Sequence, residues 1–106
     1  MKHIKATINF AGMPLTGVIR RSPYAASGAA GLLMDGEDGE PYAVLSTNIG
    51  PQAENHVAIK DYSENEGVLA SLVEAGIVRD TGKRVASGFV QIPICEIIAP
   101  ELREDQ

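Results

Sequence analysis

The sequence predicts an α+β fold in which a curved, mostly antiparallel sheet of about five to six strands carries one helix on one face. Three observations lead to this class: apolar residues alternate with polar ones near the start, Asp-Gly steps separate apolar runs, and one amphipathic stretch has helix-start and helix-stop signals. At 106 residues the chain has the length of a single domain. We assign residues 1–100 to that domain and 101–106 to a polar tail that is expected to fray.

The first two strands are predicted to form a hairpin. Apolar and polar residues alternate over residues 4–10 and again over 15–20, which is typical of half-buried strands. Between them, Ala11-Gly12-Met13-Pro14 has the composition of a turn. The following segment, 22–31, is small and flexible, and is either a loop or a short irregular edge strand.

A second hairpin is predicted around the acidic run Asp35-Gly36-Glu37-Asp38-Gly39-Glu40. Asp-Gly steps favour the primed turns of hairpins because those turns need a positive φ. The return strand is placed at 42–49 and ends at Gly50-Pro51. A further short strand is indicated at 57–59.

The helix is predicted over residues 64–75. Ser63 and Glu66 fit a capping box, in which each side chain accepts from the other's backbone N–H. Gly76 is placed to be the left-handed residue that ends the helix, with Ile77 folding back onto Leu72.

The last strand is predicted over FVQIPICEII, after a turn at Thr81-Gly82-Lys83. Val90, Ile92 and Ile94 would share one face, with Cys95 and Ile97 on the other. Pro93 cannot donate a ladder hydrogen bond, which indicates an edge strand or a bulge.

Charge is distributed unevenly along the chain. Residues 1–34 hold four basic and no acidic residues, whereas 35–66 hold eight acidic residues and one lysine. Such a chain can present two faces of opposite sign, although surface charges often do no more than solvate turns and strands. A pI near 4.9 and 5% aromatic residues oppose direct binding of nucleic acid.

Few residues could carry catalysis or hold a metal. Cys95 could be a nucleophile with His3 or His56 as its base, but it lies in an apolar strand, where cysteine usually behaves as a buried hydrophobe. No metal or other cofactor is predicted, because these three residues lack metal-ligand spacing and the acidic run does not match a calcium loop.

Two further motifs are weak. The Gly-rich stretch at 27–31 lacks the lysine of a phosphate-binding loop. Arg20 and Arg21 could meet a phosphate or an acidic partner, but adjacent strand residues point to opposite faces, so one of them would serve a single contact.

The expected location is the cytoplasm. The single cysteine excludes an internal disulfide and agrees with a reducing compartment. The N-terminal residues lack the continuous apolar stretch of a signal peptide, and no segment approaches the length of a membrane span.

Three motifs, GEDGEPYAVLSTNI, KDYSENEGVLASLVEAGIV and TGKRVASGFVQIPICEII, carry a resemblance over residues 31–98. The chain resembles a family of short uncharacterised proteins carried on bacterial plasmids, conjugative elements and phages. The resemblance implies a context rather than a mechanism, since small proteins of mobile elements often counter host defence, for instance as inhibitors of CRISPR nucleases. Such inhibitors are typically compact, often acidic, and act by occupying a surface.

The leading hypothesis is therefore a non-enzymatic binding protein that inhibits a host defence complex, such as a CRISPR effector, by docking an acidic surface on its basic channel. The residues expected to bind the partner are Asp35, Glu37, Asp38, Glu40, Asp61, Glu64 and Glu66. The alternative is a homo-oligomeric module, a homodimer for example, that binds a small ligand or nucleotide between subunits at edge strands such as the one with Pro93. A cysteine enzyme is the third hypothesis.

Overall fold

The structure, a computed structural model, describes residues 3–104. These residues form seven strands, one α-helix and two short 3₁₀ helices, at Ser63–Asn65 and Pro100–Leu102. The strands and the helix are β1 (His3–Phe10), β2 (Met13–Pro23), β3 (Ala30–Asp35), β4 (Pro41–Val44), β5 (His56–Ala58), α1 (Val68–Glu74), β6 (Val78–Ser87) and β7 (Val90–Ile97).

The predicted α+β class with antiparallel pairing and one helix is confirmed, but the prediction of one sheet is wrong. A four-stranded sheet has the order β1-β2-β3-β4, and a three-stranded sheet has the order β5-β7-β6. One isolated bridge, Ser46 to Ile59, joins them. Residues 48–55, between β4 and β5, do not form a strand that would merge the two sheets. Gly50 (φ 100°) and Asn55 (φ 58°) turn the chain there, and Pro51 has no N–H to donate to a strand pairing.

Both predicted hairpins of the first sheet are confirmed, but the first turn is narrower than predicted and the return strand of the second hairpin, predicted at 42–49, is β4, which ends at Val44. Ala11 and Gly12 make the β1–β2 turn with φ values of 51° and 91°, and the following Met13 already pairs with Phe10. At the β3–β4 turn the N–H of Gly36 donates to the Glu40 carbonyl at 2.6 Å. Segment 22–31, predicted as a loop or an irregular edge strand, is a loop flanked by strand ends. Its first residues belong to β2, its last residues belong to β3, and residues 24–29 connect the two strands.

The predicted start of the helix is wrong. Residues 63–65 form a 3₁₀ helix with Ser63 at φ 57°, and α1 begins only after Gly67, whose φ is 95°. The carboxylate of Asp61 does the capping instead, since its Oδ1 accepts from the N–H of Gly67 at 3.1 Å and of Leu69 at 2.9 Å. The capping box fails because Ser63 and Glu66 lie outside the α-helical turn.

The predicted end of the helix is confirmed. Gly76 has φ 74°, and its N–H donates to the Val73 carbonyl at 3.0 Å. The N–H of Ile77 donates to the Leu72 carbonyl at 2.9 Å, which completes the two-bond cap that satisfies the last helical carbonyls.

The second sheet differs from the prediction at two points. Residues Thr81–Lys83 are a bulge inside β6 rather than a turn before a strand, because pairing shifts between Asp80 and Arg84. β7 is the central strand of its sheet, so of the two alternatives for Pro93 the edge strand is wrong and a bulge is confirmed, on the neighbouring β6. The chain tolerates the proline there because Pro93 lies opposite Arg84, where the bulge ends.

The main core lies between the two sheets and α1, whose Val68 and Leu72 are buried in it. The helix contacts β1, an edge strand of the four-stranded sheet, and β6, an edge strand of the three-stranded sheet. A smaller apolar cluster around Ile92 and Ile94 lies on the other face of β7. No helix within residues 3–104 is long and apolar enough to cross a membrane.

The C-terminal segment expected to fray is instead packed up to Glu104. Leu102 is fully buried, and the buried guanidinium of Arg21 donates to the Leu102 carbonyl at 3.0 Å and to Asn55 Oδ1 at 2.6 Å. The same Asn55 oxygen accepts from the N–H of Glu104 at 2.8 Å. The last two residues of the predicted tail, 105 and 106, lie outside the described residues.

Candidate functional site

An open cleft of about 580 Å³ lies between the β1–β2 turn and α1. The residues that line it are Thr7, Asn9, Ala11, Gly12, Pro14, Glu66, Gly67, Ala70, Ser71 and Glu74. Four other surface pockets are smaller, with volumes between about 140 and about 300 Å³. The cleft is therefore the roomiest of these five places for a partner to enter.

Hydrogen bonds fix the two walls of the cleft to each other. The N–H of Ala11 donates to the Glu66 carbonyl at 2.7 Å, and the N–H of Asn9 donates to Ser71 Oγ at 3.0 Å. The Asn9 side chain in turn accepts from the N–H of Gly12 at 2.7 Å, which holds the turn. The cleft is thus preformed by bonds between residues that are far apart in the sequence.

The floor of the cleft is built from small residues. Gly67 turns the chain into α1, and a Cβ at this position would lie 3.4 Å from the Asn9 carbonyl oxygen. Gly12 and Ala70 add little bulk on either side. A long side chain from a partner can therefore reach the backbone of the cleft.

Two exposed carboxylates, those of Glu66 and Glu74, give the cleft its charge. Its ten lining residues include no lysine or arginine, and neither glutamate joins an ion pair within residues 3–104. Glu66 precedes the seven-residue helix and Glu74 is its last residue, so the two lie at opposite ends of α1. The cleft therefore carries two carboxylates and no lining cation.

Glu74 also has an unfavourable position in the fold. It lies in the last turn of α1, where the helix dipole favours cations and disfavours carboxylates. No basic residue accompanies it in that turn. Its charge is therefore disfavoured by the helix dipole and is not offset by an ion pair within residues 3–104.

Of the seven acidic residues expected to bind a partner, Glu66 alone lines the cleft. Three others form ion pairs: Asp35 with Arg20 at 2.6 Å, Glu37 with Lys5 at 2.7 Å, and Glu64 with Lys60 at 2.5 Å. Asp61 caps α1, as described above. The remaining two, Asp38 and Glu40, are exposed in the β3–β4 turn, where Asp38 Oδ1 accepts from the N–H of Glu40 at 3.1 Å.

The basic first third of the chain does not form a separate face. Lys5 and Arg20 pair with acidic residues from the middle third: Arg20 of β2 with Asp35 of the adjacent β3, and Lys5 of β1 with Glu37 of the β3–β4 turn. Arg21 points to the opposite face from Arg20, as predicted. Its guanidinium binds Asn55, the Leu102 carbonyl and Glu104, and so fixes the C-terminal segment.

Sequence reasoning missed Glu74. The residue stands on the polar side of the amphipathic stretch and near its C-terminal end, so it reads as an ordinary solvated glutamate. Its conflict with the helix dipole was the signal that could have identified it.

Cys95 lacks the surroundings of a nucleophile. Its side chain is fully buried in the main core, and burial raises the pKa of the thiol to about 12. His56 is not placed to act as its base, because in the β5–β7 pairing Val57 lies opposite Cys95 while His56 lies opposite Glu96, on the other face of the sheet. The thiol therefore stays protonated at neutral pH.

We expect Cys95 to resist alkylation by iodoacetamide at pH 8 in the folded protein and to react completely in concentrated guanidinium, because only the unfolded chain exposes a thiol of ordinary pKa. Intact-protein mass spectrometry measures the adduct. Rapid stoichiometric labelling of the folded chain would show that the thiol is accessible and would restore the cysteine-enzyme hypothesis.

Within residues 3–104, no three histidine, cysteine, aspartate or glutamate side chains are placed so that they could hold a metal ion. The comparisons with known proteins found no family model, no curated protein and no solved structure that matches this chain.

Proposed function

We propose that this chain is a binding protein without catalysis of its own, and that it engages a basic protein surface through the acidic cleft between the β1–β2 turn and α1. The observation that carries the proposal is the pair of exposed, unpaired carboxylates, Glu66 and Glu74, at the two ends of a preformed cleft. This moves the contact away from the acidic turn, where Asp35 and Glu37 are paired with Arg20 and Lys5 and where the remaining carboxylates, those of Asp38 and Glu40, line none of the five pockets.

The shape of the cleft supports arginine or lysine as the group recognised. Small residues, Gly12, Gly67 and Ala70, leave room for an extended side chain above the backbone. A guanidinium or ammonium can then pair with a glutamate at either end. Two carboxylates at opposite ends of α1 can pair with two cations on one extended segment, in which alternate side chains lie on the same face.

A host defence complex is the proposed partner class. Nucleic-acid channels of defence nucleases are rich in arginine and lysine, and the net charge of −5 would steer the chain toward them. The resemblance to short proteins of plasmids and phages supports the same setting, in the cytoplasm of a bacterial host.

The first test uses an octa-arginine peptide as a stand-in for a basic channel. Replacing Glu66 and Glu74 together with glutamine should weaken binding by about thirtyfold at low salt, because each of the two removed pairs contributes about 1 kcal/mol in water. The loss should shrink toward high salt, where the wild-type attraction is itself screened. Isothermal titration calorimetry over a salt series gives the affinities.

The matched control replaces Glu54 and Glu101 with glutamine, which removes the same charge from exposed positions outside the cleft. Glu74→Gln should also leave the melting temperature unchanged or slightly raised, since it removes a charge that opposes the helix dipole. An equal loss of affinity in the cleft variant and in the control would show that net charge alone drives binding, and the cleft proposal would be wrong.

A further inference from the structure

The tip of the β6–β7 hairpin carries a fully exposed aromatic ring. Gly88 and Phe89 connect the two strands, and the relative exposure of Phe89 is 110%, far above that of the other exposed large apolar residues, which lie between 40% and 62%. Gly88 has φ 62°, as the first central residue of a tight hairpin turn requires. The turn requires the glycine for its positive φ, whereas the phenyl ring of Phe89 packs in neither of the two apolar clusters.

A hollow that can take such a ring lies beside the same hairpin. Its volume is about 230 Å³ and its lining is Asp61, Tyr62, Leu69, Arg84, Val90, Gln91 and Pro93. Four of these seven residues belong to β6 or β7. Leu69, Val90 and Pro93 give the hollow apolar surface, and a phenyl ring fits easily within this volume.

The ring and the hollow are arranged for a reciprocal contact. Phe89 directly precedes Val90, and the hollow extends along β7 only as far as Pro93, so the two lie within about 13 Å of each other. A two-fold axis beside the hairpin would place the ring of each copy over the hollow of the other. Closed dimers of this kind use one self-complementary patch twice.

Charge permits this approach despite the net charge of −5. Residues 85–95, which form the hairpin from the end of β6 through most of β7, include no charged side chain. The charged residues at the hollow are engaged internally, since Arg84 pairs with Asp80 at 2.9 Å and Asp61 caps α1. Two copies can therefore meet at the hairpin without bringing like charges together.

We propose that the chain forms a two-fold symmetric homodimer in which Phe89 of each copy inserts into the hollow beside β7 of the other. The dimer interface shares no residue with the acidic cleft. It leaves both clefts open, so one dimer presents two binding sites. The proposal does not depend on what the cleft binds.

Sedimentation velocity over a range from about 10 µM to about 1 mM tests the dimer. Phe89→Ser should weaken self-association by about tenfold or more, because a buried aromatic anchor carries much of the energy of a small interface. Met13→Ser is the matched control, since Met13 is an apolar residue beside the β1–β2 turn that is 62% exposed and lies outside the hollow. Circular dichroism checks that each variant keeps its fold.

A mixing experiment tests the knob-and-hollow contact itself. Gln91→Arg obstructs the hollow but keeps the ring, whereas Phe89→Ser removes the ring but keeps the hollow. Each variant alone should associate at least tenfold more weakly than the wild type, and an equimolar mixture should associate more strongly than either variant alone through the one restored contact. A wild-type chain that stays monomeric up to about 1 mM, or a dimer that Phe89→Ser leaves intact, would overturn the proposal.

Discussion

Replacing Gly17 with alanine should lower the free energy of unfolding by about 3 kcal/mol. Gly17 is buried in β2, and a Cβ there would overlap with the backbone carbonyl oxygen of Asp35 and lie 3.1 Å from Cε of Met34. The methionine end can move, but the carbonyl belongs to the β2–β3 pairing. The two strands would have to separate locally, and urea denaturation measures the cost.

Gly36→Ala is the matched control for this effect. A Cβ at Gly36 would lie 2.8 Å from Asp38 Oδ1 and from the ring of Tyr42, which is 47% exposed and can rotate away. The cost should then be about 1 kcal/mol, because flexible side chains yield where a strand does not. Equal destabilisation by the two substitutions would contradict the close approach of β2 and β3 at Gly17.

The second large effect is expected at Arg21. Replacing Arg21 with methionine keeps the apolar stem but removes the guanidinium that binds Asn55, the Leu102 carbonyl and Glu104. Its side chain is 10% exposed, so buried acceptors lose their donor, at a cost of about 3 kcal/mol. Hydrogen exchange at the amide of Glu104 should accelerate as the C-terminal segment detaches.

Arg20→Met provides the comparison from the adjacent residue. The Arg20 side chain is 40% exposed and forms a surface pair with Asp35, so its loss should cost less than about 1 kcal/mol. The contrast between neighbouring arginines follows from the alternation of strand faces. If both substitutions were equally mild, the C-terminal segment would not depend on Arg21 as the structure indicates.

Features set by short-range geometry could be predicted from the sequence. The cap at Gly76 needs one residue with positive φ and two backbone hydrogen bonds, all within six residues. The β3–β4 turn is likewise encoded by its glycines. The two faces of β7 followed from alternation, since Cys95 and Ile97 join the main core while Ile92 and Ile94 join the smaller cluster.

Features that depend on distant partners could not be predicted. The start of α1 looked like a capping box at Ser63, yet the Asp61 carboxylate reaches two N–H groups that become available only after the chain turns at Gly67. Pro93 indicated an edge strand or a bulge, and the choice depended on β6, whose bulge between Asp80 and Arg84 accommodates the proline in the centre of the sheet.

The candidate binding site shows the same division. The excess of acid in residues 35–66 was visible in the sequence, but its neutralisation by Lys5, Arg20 and Lys60 depends on which strands and turns are neighbours. Glu66 was among the predicted residues. Glu74 joins it only because α1 packs beside the β1–β2 turn and leaves a cleft between them.

The central claim is that the cleft beside α1, rather than acidic surface in general, binds basic partners. Amide chemical-shift mapping by NMR during titration with octa-arginine tests it most directly. We predict that the largest shifts fall on Gly12, Gly67, Ala70 and Ser71, and that they are abolished by the double substitution of Glu66 and Glu74 with glutamine. Shifts concentrated on the β3–β4 turn at residues 36–40, with the cleft unaffected, would contradict the account.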